Sequence, residues 1–144
     1  MDQWYTLADL PTLVTQLLHH YPPPHIYALE GELGTGKTTL VTHLCRQLGV
    51  REPISSPTYS IVNEYTGREG TIYHLDCYRL KDVEEAIDAG LEELLGGAPI
   101  AIGGAVFIEW PAVIEPLLPP GVVFLRLYHD PAGEGRRRIH VTTG

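Results

Sequence analysis

Leu10, Val14, Leu17 and Leu18 fall on one side of a 3.6-residue period, behind Asp9-Leu10-Pro11, where proline is tolerated in a first helical turn. The spacing predicts a helix that stops at Tyr21-Pro22-Pro23-Pro24, since proline cannot continue it. Ile26-Tyr27-Ala28-Leu29 is a short apolar run halted by a glycine-rich turn, the pattern of a buried strand. Leu40, Val41, Leu44, Cys45 and Leu48 then recur at helical spacing, with Gly49 placed to end the helix. Tyr59 to Tyr65 and Thr71 to Leu75 read as strands joined around Gly67 and Gly70 in the manner of a hairpin. A further helix is predicted over Val83 to Leu95, with Gly90 as a point of breakage. Ala105-Val106-Phe107-Ile108 is the most apolar short run and reads as a central strand ending in Glu109, although glycines at 96–97 and 103–104 blur its start. Val122 to Tyr128 and Arg138 to Val141 alternate as late strands around a turn at Asp130 to Gly135. Elements that alternate early and become strand-rich late predict an α/β sheet with antiparallel edges.

A length of 144 residues fits one domain spanning 1–144 and leaves no room for a second substrate domain. Hydrophobic residues at 44% and charged residues at 19% give an ordinary globular balance. The net charge of −8 argues against a protein whose main task is gripping a phosphate backbone, because such binding is driven by cations. Cys45 and Cys77 are too few for a disulfide framework. No apolar stretch approaches a membrane span, and Met1-Asp2-Gln3-Trp4 lacks the basic and apolar regions of a leader. A cytoplasmic location without membrane contact is expected.

Gly31-Glu32-Leu33-Gly34-Thr35-Gly36-Lys37-Thr38 matches G-x-x-x-x-G-K-[ST] at every fixed position. Chance produces that match in well under ~1% of chains this long, and here a strand precedes it and an amphipathic helix follows. The glycines let backbone N–H groups converge on phosphate oxygens, and the helix N-terminus adds its positive dipole end. Lys37 is expected on the β- and γ-phosphates and the Thr38 hydroxyl on Mg²⁺. The fold class that follows is a single P-loop NTPase domain with a mixed, mainly parallel sheet and antiparallel edge strands. No N-K-x-D or T-K-x-D follows the loop, so adenine is favoured over guanine.

A P-loop needs a carboxylate at the end of a neighbouring strand, and two are available. Glu109 follows Val106-Phe107-Ile108, and Asp76 follows Tyr73-His74-Leu75. One acid would hold Mg²⁺, directly or through water, while the other orients or deprotonates the attacking water. The expected assignment puts Glu109 on the metal side and Asp76 on turnover, with the reverse left open.

Three further segments stand in register with the loop: Ser56-Pro57-Thr58-Tyr59-Ser60-Ile61-Val62, His74-Leu75-Asp76-Cys77-Tyr78-Arg79-Leu80, and Ile108-Glu109-Trp110-Pro111. Together they resemble the TsaE (YjeE) family, small bacterial ATPases of the tRNA threonylcarbamoyladenosine pathway. The resemblance is strong from Leu29 to Pro111 and weak at both ends. It implies an ATP-binding, Mg²⁺-dependent, ATP-hydrolysing subunit that is slow without partners. Gly34, Thr35, Gly36, Lys37, Thr38 and Thr39 would cradle the nucleotide, with Thr38 and Glu109 on the metal side. Lys37, Asp76 and Thr58 would carry catalysis, Thr58 lying in a switch-like segment that senses the γ-phosphate. The implied partners are the TsaB and TsaD proteins, where TsaD performs the threonylcarbamoyl transfer, so tRNA is met only through the complex. The sequence departs from the family where Glu32 replaces a common aspartate, Thr35 a common alanine and Cys77 an aliphatic residue.

Other residues carry two readings each. His74 is a ligand or base, or else a structural strand histidine. Arg79 reaches phosphate or makes a surface ion pair. Tyr78 and Trp110 stack on a base or partner, or pack the core. Arg136-Arg137-Arg138 is the only basic cluster, and Arg136 is its candidate nucleotide contact, against a solvated strand end. Two rival functions remain: a small-molecule P-loop kinase, for which no arginine-rich lid is visible, and a nucleotide-gated binding module with little turnover.

Overall fold

A computed structural model describes residues 1–55, 61–97 and 104–144. The strand beginning expected at Tyr59 and Ser60, and the candidate Thr58, lie outside the described residues. The element order is β1 (Asp2–Tyr5), α1 (Leu10–His20), β2 (His25–Glu30), α2 (Lys37–Gln47), β3 (Val62–Thr66), β4 (Thr71–Asp76), α3 (Val83–Asp88), β5 (Ala105–Glu109), β6 (Val123–His129) and β7 (Arg137–Thr143). They build one seven-stranded sheet in the order β1-β7-β6-β2-β5-β4-β3. The central neighbours β6-β2, β2-β5 and β5-β4 run parallel, and the outer pairs are antiparallel. The expected architecture is therefore the observed one.

The two innermost strands explain that arrangement. β5 is buried at all five positions and β2 at its four middle ones, as parallel strands covered on both faces must be. Tyr27, Leu29 and Phe107 pack with Leu13, Leu17, Leu40 and Leu44 against α1 and α2. Ile26, Ala28, Val106 and Ile108 face the other way, toward Ala86, Leu91 and Ile114. Strand alternation thus makes two cores from one sheet.

Three local details differ from, or sharpen, the sequence expectations. Gly90, at φ +87°, ends the predicted helix after Asp88, and a π-helical turn at Glu93–Gly97 follows. The left-handed backbone there suits glycine and interrupts α3. β1 was not anticipated: Asp2–Tyr5 is short and pairs with β7, more than 130 residues away, with Asp2 opposite His140. A 3₁₀ helix at Pro111–Leu117 also follows β5 without a periodic signal to announce it. No helix among the described residues is long and apolar enough to cross a membrane.

Candidate functional site

The parallel strands β2, β4 and β5 all end on one edge of the sheet, beside the point where chain order reverses, the usual ligand crevice of open α/β sheets. β2 delivers the loop from Gly31 to Gly36, and α2 begins at Lys37. A side chain at Gly31 would meet Thr35 Oγ1 at 2.6 Å and the Leu127 carbonyl at 2.8 Å, so only glycine lets the chain turn here. Gly36 stands at φ +93° as the residue before α2, which turns the following amides toward the loop. Thr35 is buried and its hydroxyl donates to the Glu32 carbonyl at 2.7 Å, holding the loop closed.

The Lys37 ammonium folds back inside this loop. It donates to the carbonyls of Gly31 (2.6 Å) and Glu32 (3.1 Å) and lies 3.9 Å from the centre of the Trp110 ring. Burial lowers its pKa from the usual lysine value, and the carboxylates of Glu109 and Asp76 pull it back up. Both acids therefore act on one cation. Trp110 holds its place under that cation with a left-handed backbone, φ 57°, which for a bulky residue costs about 1–3 kcal/mol. Tyr78, 58% exposed, packs against the same indole with ring centres 5.0 Å apart.

The two acids sit side by side, Asp76 paired with Glu109 in the parallel register of β4 and β5. The Cys77 N–H donates to the Glu109 carbonyl at 3.0 Å and ties the two strand ends together. Glu109 is only 3% exposed. Its Oε1 and Oε2 accept from the Thr38 hydroxyl at 2.9 and 3.1 Å, and Oε2 also lies 2.6 Å from His74 Nε2. Asp76 is half-buried, and its Oδ1 accepts from the Tyr78 N–H at 3.0 Å. Oxygen donors of this kind suit a hard divalent cation that keeps waters and phosphate oxygens as its other ligands. No group of three His, Cys, Asp or Glu that could hold a metal ion occurs among the described residues.

Among the described residues, two cavities flank the loop. One of about 260 Å³ is lined by Tyr5, Thr6, Gly34, Gly36, Thr39 and Arg137, and thus opens beside the predicted phosphate cradle. The other, about 430 Å³, lies between Gly31 and the end of β6. Arg136 does not line either of them. Its Nε donates to Asp130 at 2.8 Å and its guanidinium lies over the Trp4 ring at 4.3 Å. Arg137 instead donates to the Gly34 carbonyl at 3.3 Å. Of the two neighbours it is Arg137 that borders the loop cavity, for a simple reason. Arg137 shares strand parity with the buried Ile139 and Val141, which face α1 and α2 beneath the loop. The alternation of β7 carried that signal. Arg138 points the other way and pairs with Asp2 at 2.6 and 2.8 Å.

Sequence-predicted Gly34, Thr35, Gly36, Lys37, Thr38, Asp76 and Glu109 are thus brought together, and Thr39 borders the smaller cavity. The family profile described as threonylcarbamoyl adenosine biosynthesis protein TsaE matches residues 5–139. The chain is 41% identical over 117 residues to the tRNA threonylcarbamoyladenosine biosynthesis protein TsaE of Nostoc sp., covering 81% of this chain and 69% of that one. The Bacillus subtilis protein of the same name is 36% identical over 120 residues, covering 83% and 70%. The crystal structure of Bacillus subtilis YdiB superposes with a TM-score of 0.68 at 23% identity, over all of this chain and 86% of that one, a likeness of fold.

Proposed function

Because the chain belongs to the TsaE family of threonylcarbamoyl adenosine biosynthesis proteins, we propose that it is the ATP-binding and ATP-hydrolysing subunit that supports turnover of a TsaB–TsaD complex in the cytoplasm. The observation that carries this reading is the pairing of Thr38 with Glu109 beside a lysine folded into a glycine loop. That is the arrangement a P-loop presents to the β- and γ-phosphates and their metal.

The chemistry follows from the residues. Lys37 exchanges the Gly31 and Glu32 carbonyls for phosphate oxygens, and the amides of residues 34–39 neutralise the remaining charge. Thr38 and Glu109 would hold Mg²⁺, which neutralises charge developing on the transferred phosphoryl group. Thr38 can donate its hydroxyl proton to Glu109 while its oxygen lone pair remains a ligand. Asp76, more open than Glu109, orients or deprotonates the attacking water. The cavity at Thr39 and Arg137 receives the adenosine portion, since it borders Gly34, Gly36 and Thr39. Thr58 senses the γ-phosphate, and partner docking favours the hydrolytic state by differential affinity. An acidic surface suits a protein partner better than direct capture of tRNA.

The test is ATP hydrolysis by wild type, Lys37→Ala and Thr58→Ala across a titration of TsaB–TsaD, with nucleotide binding measured in parallel. Slow basal hydrolysis that rises with partner, with Lys37→Ala losing binding and Thr58→Ala losing the rise, is expected. Unchanged affinity and hydrolysis in Lys37→Ala would overturn the nucleotide assignment. Rates indifferent to partner would overturn the coupling.

A further inference from the structure

His74 is fully buried on β4, and its side chain has one polar partner among the described residues, the Glu109 carboxylate at 2.6 Å. The other ring nitrogen, Nδ1, is buried with no partner. A leucine or phenylalanine would fill a buried strand position without that loss, since an unpartnered buried polar atom costs about 1–3 kcal/mol. Neighbouring choices on the same face of the sheet are apolar: Ile72 precedes it by two residues and Phe107 is its register partner on β5. The histidine therefore serves the carboxylate rather than the core.

We propose that His74 is a positioning residue for Glu109: an imidazole that donates from Nε2, locks one carboxylate oxygen and turns the other toward Thr38. This rests on the proposed nucleotide site and extends it. Proton placement follows from partners. A proton on Nδ1 would be a buried donor with no acceptor, whereas on Nε2 it meets Oε2. With Oε2 engaged by His74, Oε1 is left with the Thr38 hydroxyl alone among the described residues, on the side where a cation held by Thr38 would stand. A lone glutamate at a strand end has several rotamers and two equivalent oxygens. One bond of 2.6 Å from a rigid ring on the adjacent strand removes that freedom before any ligand arrives. Groups that orient a metal-side carboxylate typically govern metal affinity by about 10–100-fold.

The test compares His74→Gln with His74→Asn, which have the same polarity but different reach. A glutamine amide nitrogen can occupy the place of Nε2, and an asparagine amide nitrogen only that of Nδ1. Affinity for an ATP analogue is measured against Mg²⁺ concentration and again in excess chelator, with thermal unfolding as the folding control. His74→Gln should keep the Mg²⁺ dependence of wild type within a few-fold. His74→Asn should need about 10–100-fold more Mg²⁺ while its metal-free nucleotide affinity is unchanged. Equal Mg²⁺ dependence in wild type and both variants would overturn the positioning role. So would equal losses in both that track their melting temperatures, which would make His74 structural. Absence of any Mg²⁺-dependent binding in wild type would instead count against the proposed function itself.

Discussion

β4 and β5 end one strand apart with a carboxylate each, and the two carboxylates live in opposite surroundings. Glu109 is sealed in, with a histidine and a threonine hydroxyl on its oxygens, while Asp76 is half-buried and accepts the Tyr78 N–H. The sealed acid has its position fixed in advance, which suits holding a cation. The open acid retains access to water, which suits acting on one. Register alone places the pair together, and burial sets their surroundings apart.

The largest effect should come from exchanging each acid for its amide. Glu109→Gln should raise the Mg²⁺ needed for nucleotide binding by more than the roughly 10–100-fold attached to an orienting group. Asp76→Asn should leave that binding intact and slow hydrolysis by about 10²–10⁴-fold, the range of a lost acid–base group. Calorimetric titration and steady-state hydrolysis measure the two effects, and equal behaviour of the variants would erase the distinction. A smaller contrast is expected in stability. Glu109→Ala strands His74 Nε2 and should cost about 1–3 kcal/mol, whereas Asp76→Asn keeps an acceptor for the Tyr78 N–H and should stay within about 0.5 kcal/mol in urea unfolding.

A further contrast, in pH dependence, lies just beyond the open acid. Burial, then the Asp76 charge, pushes the Cys77 thiol up to about 12, and burial does the same to Cys45. Unfolded thiols ionise near 8.5, so the thiols' share of stability is complete below that pH. It then falls by roughly 1.4 kcal/mol per pH unit for each thiol as pH climbs toward the folded values. Urea midpoints at pH 7.5 and 10 check this. A thiol reagent at pH 7.5 should leave both cysteines unmodified in the folded protein, and rapid labelling of Cys77 would mean that the β4 end opens.

Much of this site could be read before any fold was known, because phosphate chemistry constrains local sequence tightly. Gly31 through Thr38 form an unbroken motif, Glu109 ends an apolar run and Asp76 a strand-like one. What stayed hidden depends on contacts between distant segments. β1 exists only because β7 pairs with it, and the Arg138–Asp2 bond crosses 136 positions. That Arg137 rather than Arg136 borders the loop needed strand parity and the start of β7 at Arg137. His74 carried two readings until β4 and β5 were in register, since no local pattern reveals which carboxylate a buried ring will meet.

The glycine loop and its threonine are the proposed place where phosphates and cation are held. A crystal structure with Mg²⁺ and a non-hydrolysable ATP analogue tests it directly. The expected result has the Lys37 ammonium released from the Gly31 and Glu32 carbonyls onto phosphate oxygens, with the cation beside Thr38 and Glu109 still held by His74. A nucleotide bound elsewhere, with Lys37 and the Thr38–Glu109 pair unchanged, would contradict it.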